Sequence, residues 1–173
     1  EDNNYFNFEN ITKEDLIKSK TKIKKNNILS FNVNNQNNYD QFLKSLKMRS
    51  IIRKANTNDL DRLTQMELRT NQFNLISSRM PKNKINYFIN KKINNVFTVS
   101  LEDRFDNHGI VSYFIISTVK NKLIIKNWLL SCRVFERTLE HRIINYILRS
   151  FKRKNYNKII ADYNPTKKNI VML

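Results

Sequence analysis

Residues 96–130 read VFTVSLEDRFDNHGIVSYFIISTVKNKLIIKNWLL. Three runs in this stretch are rich in β-branched and aromatic residues: Val96 to Leu101, Ile110 to Ser117 and Leu123 to Leu130. Such side chains suit a pleated, half-buried surface, so each run predicts a strand. Asp106-Asn107-His108-Gly109 carries hairpin-turn chemistry and predicts the turn between the first two. Asn121 marks the next turn. Connections this short leave antiparallel neighbours.

Downstream, Leu139, Ile143, Ile144, Ile147, Leu148 and Phe151 recur at helical spacing. They predict a long helix from about Glu136 to Lys154 with one buried face. Lys158 to Tyr163 predicts another strand, ended by Asn164-Pro165. Upstream, Met48 to Lys54 predicts a strand. Thr57-Asn58-Asp59 opens a helix through about Leu68, with Leu60, Leu63 and Met66 on one side. Asn71 to Ser78 breaks the period. Lys82 to Lys91 predicts a second helix, with Pro81 just before it. Tyr39 to Leu46 suits a short helix with Phe42, Leu43 and Leu46 inward. Asn26 to Asn38 reads as a linker. Thr12, followed by Glu14 and Asp15, caps a helix to about Lys25.

The fold class is therefore α/β: a mixed, mostly antiparallel sheet flanked by helices. The order is strand, two helices, three antiparallel strands, helix, strand. It resembles the core of the Gcn5-related acetyltransferases. In that fold the loop before the long helix holds a pyrophosphate on its backbone amides. The fold normally continues with a further helix and two strands. The resemblance thus implies an acyltransferase-like domain over 39–173, stopping short of those elements, and a junction segment over 1–38.

Composition narrows the class. Forty per cent of the residues are hydrophobic, so the chain can build a core. No apolar run approaches the roughly 20 residues of a membrane helix. The single cysteine excludes an internal disulfide and a Cys-rich metal site, and no metal is expected. A reducing cytoplasm suits that usage. The net charge of +17 points naively to nucleic acid. Abundant Lys, Asn and Ile beside one Gly and two Pro fit a sequence from an A+T-rich genome, and the basic residues form no block. Nucleic acid is thus the weakest expectation, while the positive field favours any acidic partner.

Four motifs occur in order: Thr70-Asn71-Gln72-Phe73-Asn74-Leu75, Asp103-Arg104-Phe105, Ser131-Cys132-Arg133-Val134 and Pro165-Thr166-Lys167-Lys168-Asn169. Phe42-Leu43 and the run Arg53-Lys54-Ala55 leading to Asp59-Leu60 accompany them. Each is weak alone. Together, over about Tyr39 to Asn169, they resemble the C-terminal half of FkbH-like proteins. Those proteins couple a haloacid-dehalogenase-type phosphatase half to an acyltransferase-like half. The resemblance implies loading of a glyceryl-type unit onto the phosphopantetheine thiol of an acyl carrier protein, in polyketide and related pathways. It also implies coenzyme A as a possible cofactor and a phosphatase-like half or separate chain as a partner. The phosphatase Asp-x-Asp motif is not found. Asp59 and Asp61 have its spacing but follow no apolar strand.

Cys132 is the sharpest candidate. It falls between a predicted strand and a predicted helix start, where a helix dipole and Arg133 would favour a thiolate. The resemblance gives it a covalent acyl-carrying role; the alternative is a small buried hydrophobe. His141 would lie about 13 Å away along a common helix, too far to be its base, and His108 is expected in a turn. Arg133 to Thr138 occupies the pyrophosphate-loop position. Glu136 and Thr138 stand where the family places glycine, which adds a negative charge and restricts the backbone. Arg133 and Arg137 are the compensating phosphate ligands. Asn71, Gln72 and Asn74 either line a substrate cleft or form a local cap network. Thr166, Lys167 and Asn169 follow the last predicted strand, which in that fold borders the acyl-donor cleft; Lys167 and Lys168 either meet a phosphate there or form a solvated basic turn. Trp128 and Phe135 are expected in the core. Two functions compete: acyl transfer with Cys132 as relay, and a non-catalytic module docking a carrier protein or phosphatase chain.

Overall fold

The computed structural model describes residues 36–91, 94–152 and 156–170. The expected helix ending near Lys25 lies outside them. The chain divides into two compact units, Glu1–Ser45 and Leu46–Leu173. Of the first, the structure describes one helix, α1 (Gln36–Ser45). It starts inside the Asn-rich stretch read as linker, because Asn and Gln are as acceptable in a first helical turn as in coil.

The second unit carries the sheet. In chain order it holds β1 (Arg49–Lys54), a 3-10 turn (Thr57–Asp59), α2 (Leu60–Arg69), α3 (Lys82–Asn90), β2 (Asn94–Glu102), β3 (Asn107–Val119), β4 (Lys122–Leu130), a second 3-10 turn (Cys132–Val134), α4 (Leu139–Lys152) and β5 (Lys158–Ala161). Among the described residues, five strands form one sheet in the order β1-β2-β3-β4-β5. The first four are antiparallel, and β5 runs parallel to β4. A parallel pair needs a crossover, which α4 supplies. This is the expected fold class.

β3 lies at the centre, and Val111 to Ser117 are all buried. Both faces of the strand are covered, so its sequence reads as a continuous apolar run. On one face Val134, Leu139, Ile143 and Ile147 pack on Val99, Leu101, Phe114, Ile116, Ile125 and Leu130. On the other, Leu63, Met66 and Ile85 cover Val96, Tyr113, Ile115 and Leu129. Each fully buried Leu or Ile contributes about 2 kcal/mol, so burial rather than propensity holds the helices.

Four features differ from expectation. The first hairpin turn is Asp103–Asp106, since Glu102 already pairs with Asn107. Asp103 makes it: its Oδ1 accepts the N–H of Phe105 at 2.8 Å and of Asp106 at 3.0 Å. Gly109, with φ of 62°, serves a bulge in β3 instead. α4 opens at Leu139 rather than Glu136, because Glu136 and Thr138 have φ of 63° and 54°, which no right-handed helix contains. Ile144 and Leu148 lie beside the α4 stripe, 37% and 47% exposed, not on it. Finally, β5 ends at Ala161 because the chain then turns towards another segment.

Candidate functional site

β4 and β5 pair only over Lys122–Ile125 with Lys158–Ala161. Beyond that they part, and the C-terminal half of β4 presents its edge to a gap. The chain fills this gap itself. Leu75 N–H donates to Trp128 O at 3.1 Å, and Leu130 N–H donates to Phe73 O at 3.0 Å. Asn74 forms an antiparallel bridge with Leu129. On the other side Asn164 N–H donates to Leu75 O at 3.0 Å. Residues 73–75 thus act as a short strap between β4 and the segment after β5. The Phe73 ring meets Trp128 edge-on at 4.9 Å and Phe135 at 6.4 Å. Trp128 is buried, as expected of a core residue.

Two of the four motifs meet here. Asn169 is fully buried. Its Nδ2 donates to Ser77 Oγ at 2.7 Å, Asn164 O at 2.9 Å and Asn74 O at 3.0 Å. Its Oδ1 accepts from Thr166 N–H at 2.6 Å and Thr166 Oγ1 at 3.0 Å. Asn74 is also buried, and its Oδ1 accepts the Ser77 N–H at 3.0 Å. Asn74, Thr166 and Asn169 are therefore a clasp that satisfies backbone groups, which for Asn74 is the cap-network alternative. Asn71, Gln72 and Lys167 are exposed. Asn71 touches only Arg79, weakly, at 3.5 Å, and Lys167 sits in a solvated turn.

The other two motifs meet at the end of β4. Cys132 is exposed. It heads the 3-10 turn, whereas the α-helix opens only at Leu139. The α4 dipole therefore does not act on its thiol, since that effect fades within one turn of the helix start. Arg133 Nε donates to Ser131 Oγ at 3.3 Å. One terminal nitrogen of Arg133 is buried without a hydrogen-bond partner. A guanidinium nitrogen in that state favours an anion nearby. Arg137, expected to hold phosphate, is committed elsewhere. It donates to Asp103 Oδ2 at 3.2 and 3.4 Å and to Arg133 O at 3.1 Å. His108 Nε2 donates to the same carboxylate oxygen at 2.9 Å. His108 is thus a buried structural partner, not a turn residue. Burial pushes the Asp103 carboxyl up. The His108 hydrogen bond, the Phe105 N–H and the charges of His108 and Arg137 outweigh it and hold the group well below the carboxylate range.

The glycine question resolves unexpectedly. Glu136 and Thr138 restrict the backbone less than their side chains imply, because both adopt the left-handed conformation glycine would take. The loop keeps a glycine-like path, held by the Asp103–Arg137 pair and by Arg142 N–H donating to Thr138 O at 3.4 Å.

Two further carboxylates are structural. Asp59 forms a capping box with Asn56 and a bidentate pair with Arg53 at 2.6 and 2.7 Å. Its spacing from Asp61 is thus a helix start, as read. Glu67 is buried, accepting the Tyr113 hydroxyl, Asn127 Nδ2 at 2.9 Å and Met80 N–H at 3.2 Å. Burial raises its carboxyl above the ordinary range despite these donors. Glu67 did not stand out in the sequence, and His108 read only as a turn residue, since a lone Glu or His carries no period. Among the described residues, no group of three His, Cys, Asp or Glu could hold a metal, and no helix is long and apolar enough to cross a membrane.

A coenzyme arm of the pantetheine kind can be tested against these residues. In the loop over 133–138 the N–H groups of Val134 and Phe135 already donate to Ser131 O and Cys132 O, so the unpartnered nitrogen of Arg133 is the group there that suits a phosphate. The β4 edge does not fit the arm, because residues 73–75 already take its donors and acceptors.

No family model matches the sequence, and no curated protein does. Solved structures share the fold. A transcriptional regulator from Bacillus halodurans C-125 has a TM-score of 0.54 and 10% identity, covering 72% of this chain and 88% of that one. The ribosomal-protein-S18-alanine N-acetyltransferase of Escherichia coli has a TM-score of 0.51 and 11% identity over 62% of this chain. The match spans only 63% of that enzyme's length. An aminoglycoside N-acetyltransferase, AAC(6')-Iy, in complex with CoA has a TM-score of 0.50 and 11% identity, covering 68% and 79% of the two chains. The chain has a fold of the Gcn5-related acetyltransferase kind.

Proposed function

We propose that this chain is an acyl-transfer domain of the FkbH-like type, in which Cys132 takes up an acyl unit and passes it to an acyl carrier protein thiol. The observation that carries this reading is the exposed Cys132 thiol at the end of β4. Beside it stands Arg133, with a buried nitrogen that lacks a partner. The Cys132 sulfur attacks the carbonyl of an activated acyl donor, the bond to the donor's leaving group breaks and that group departs with the thiol proton; the carrier thiol then attacks the Cys132 thioester and returns the cysteine as a thiol. A neighbouring guanidinium can hold an anionic group of the donor and orient its carbonyl. The four motifs support the family, and the fold supports acyl transfer in general. One relative of the fold is seen with CoA. A glyceryl-type unit, and a phosphatase-like partner joined through residues 1–38, follow from the resemblance. The chain's own part is to present the thiol, fix the anion and leave the carbonyl accessible. The β4 edge, filled by residues 73–75, leaves no place there for the arm of coenzyme A.

A second reading has its own observation. Residues 73–75 close the gap between β4 and β5, which favours a non-catalytic module that docks a carrier protein. Intact-mass analysis separates the two. The chain is incubated with a glyceryl donor, with and without carrier protein. The expected result is an adduct on Cys132 that the carrier protein discharges and that Cys132→Ala abolishes. Carrier binding with no adduct overturns the transferase reading in favour of the docking module.

A further inference from the structure

On the opposite flank of the sheet from the β4–β5 gap, two hollows adjoin between β1 and α4. The larger, of about 660 Å³, is walled by Arg49, Ser50, Glu102, Asn107, Thr138 and Arg142. The second, of about 540 Å³, continues past Thr138 and Arg142 to His141, Asn145, Tyr146 and Arg149. Glu102 faces Arg49 across the β1–β2 ladder and offsets part of its charge. Arg142 gives one N–H to Ser50 O at 3.3 Å. Among the described residues, Arg49, Arg142 and Arg149 are in no ion pair. A guanidinium has five N–H donors, so most of the hydrogen-bonding capacity of Arg142 and all of that of Arg149 is uncommitted.

Arg142 and Arg149 stand two helical turns apart, about 10 Å along α4. Tyr146 lies between them, its ring edge-on to Phe97 at 5.8 Å. A concave wall focuses the field of like charges and draws in anions. Planar guanidinium forks match the oxygens of phosphate and carboxylate alike, and a phosphate group brings nearly twice the charge of a carboxylate to a wall of arginines. We propose that this groove binds an extended ligand carrying two separated phosphate groups, one between Arg49 and Arg142 and the other at Arg149. The inference does not depend on Cys132 chemistry: its arginines stand on β1 and α4, and of the loop over 133–138 only Arg137, held by Asp103, and Thr138 reach the larger hollow.

The test is calorimetric titration of the chain with linear tetraphosphate and with orthophosphate at low salt. The expected outcome is one tetraphosphate per chain, bound at least about tenfold more tightly than orthophosphate. Arg149→Gln should remove that advantage, and Arg142→Gln should weaken binding about tenfold or more, the loss of one charge-assisted contact. Lys84→Gln/Lys122→Gln removes two charges from exposed positions elsewhere and should leave binding unchanged. Thermal melting confirms that each variant is folded. Equal loss in the lysine variant, or no tetraphosphate binding, overturns the proposal.

Discussion

Asp103 shows how much one side chain can decide. A single carboxylate builds the hairpin turn, anchors His108 and holds Arg137 against the loop after β4. Its side chain is wholly buried. Removing one partner of a buried pair leaves the other charge uncompensated. Asp103→Asn should cost about 3 kcal/mol in urea unfolding. The pH dependence follows from the direction of the shift. The group sits below its ordinary value of 3.8 when folded. Its contribution is therefore fully present above that range and fades as pH falls through it. The stability gap between wild type and Asp103→Asn should be widest near neutrality and should close on acidification. A gap that widens in acid would contradict the assignment.

Two elements carry strain or lock, and each makes its own prediction. The loop over 133–138 holds Glu136 and Thr138 in a left-handed backbone that costs an L-residue roughly 1–2 kcal/mol. Glycine avoids that cost but loses some of the gain to its larger unfolded-state entropy. Glu136→Gly and Thr138→Gly should each leave stability unchanged or raise it by up to about 1 kcal/mol in chemical denaturation. An ordinary right-handed backbone there would make both variants destabilising. The strap over 73–75 depends on the Asn169 clasp. Asn169→Ala strands the buried Asn74 carbonyl and removes the partner of the Thr166 N–H, at about 1–3 kcal/mol. Hydrogen exchange should then speed up at the Leu75, Leu130 and Asn164 amides, the three that tie the strap in. Unchanged exchange there would show that β4 holds the strap without the clasp.

At the scale of the whole molecule, charge sets the solution behaviour. A chain of 173 residues with a net charge of +17 repels itself. Added salt shortens the reach of that repulsion to about 10 Å at 0.1 M. Melting temperature should therefore rise between roughly 0.01 and 0.15 M sodium chloride, and a fall would mean that attractive surface pairs dominate. The same scale separates what was readable from what was not. Strand runs, the stripes of α2 and α4 and the order of elements were legible, because period and β-branched content are local properties of the chain. The place of Cys132 at the end of β4 was legible too, whereas its exposure came from the structure. The roles of Asn74, Asn169, Arg137 and His108 were not. Their partners lie 95, 95, 34 and 5 residues away in the chain, and at such sites a polar residue reads the same whether it binds a ligand or a backbone group. The sequence by itself determined which segments become strands and helices, because burying their apolar faces permits one layered arrangement. Only the tertiary structure decided that β4's free edge is taken by the chain's own strap and that Arg137 serves the fold. Hydrogen-bond partners across a gap are settled by the meeting of distant segments, and no local pattern encodes that meeting.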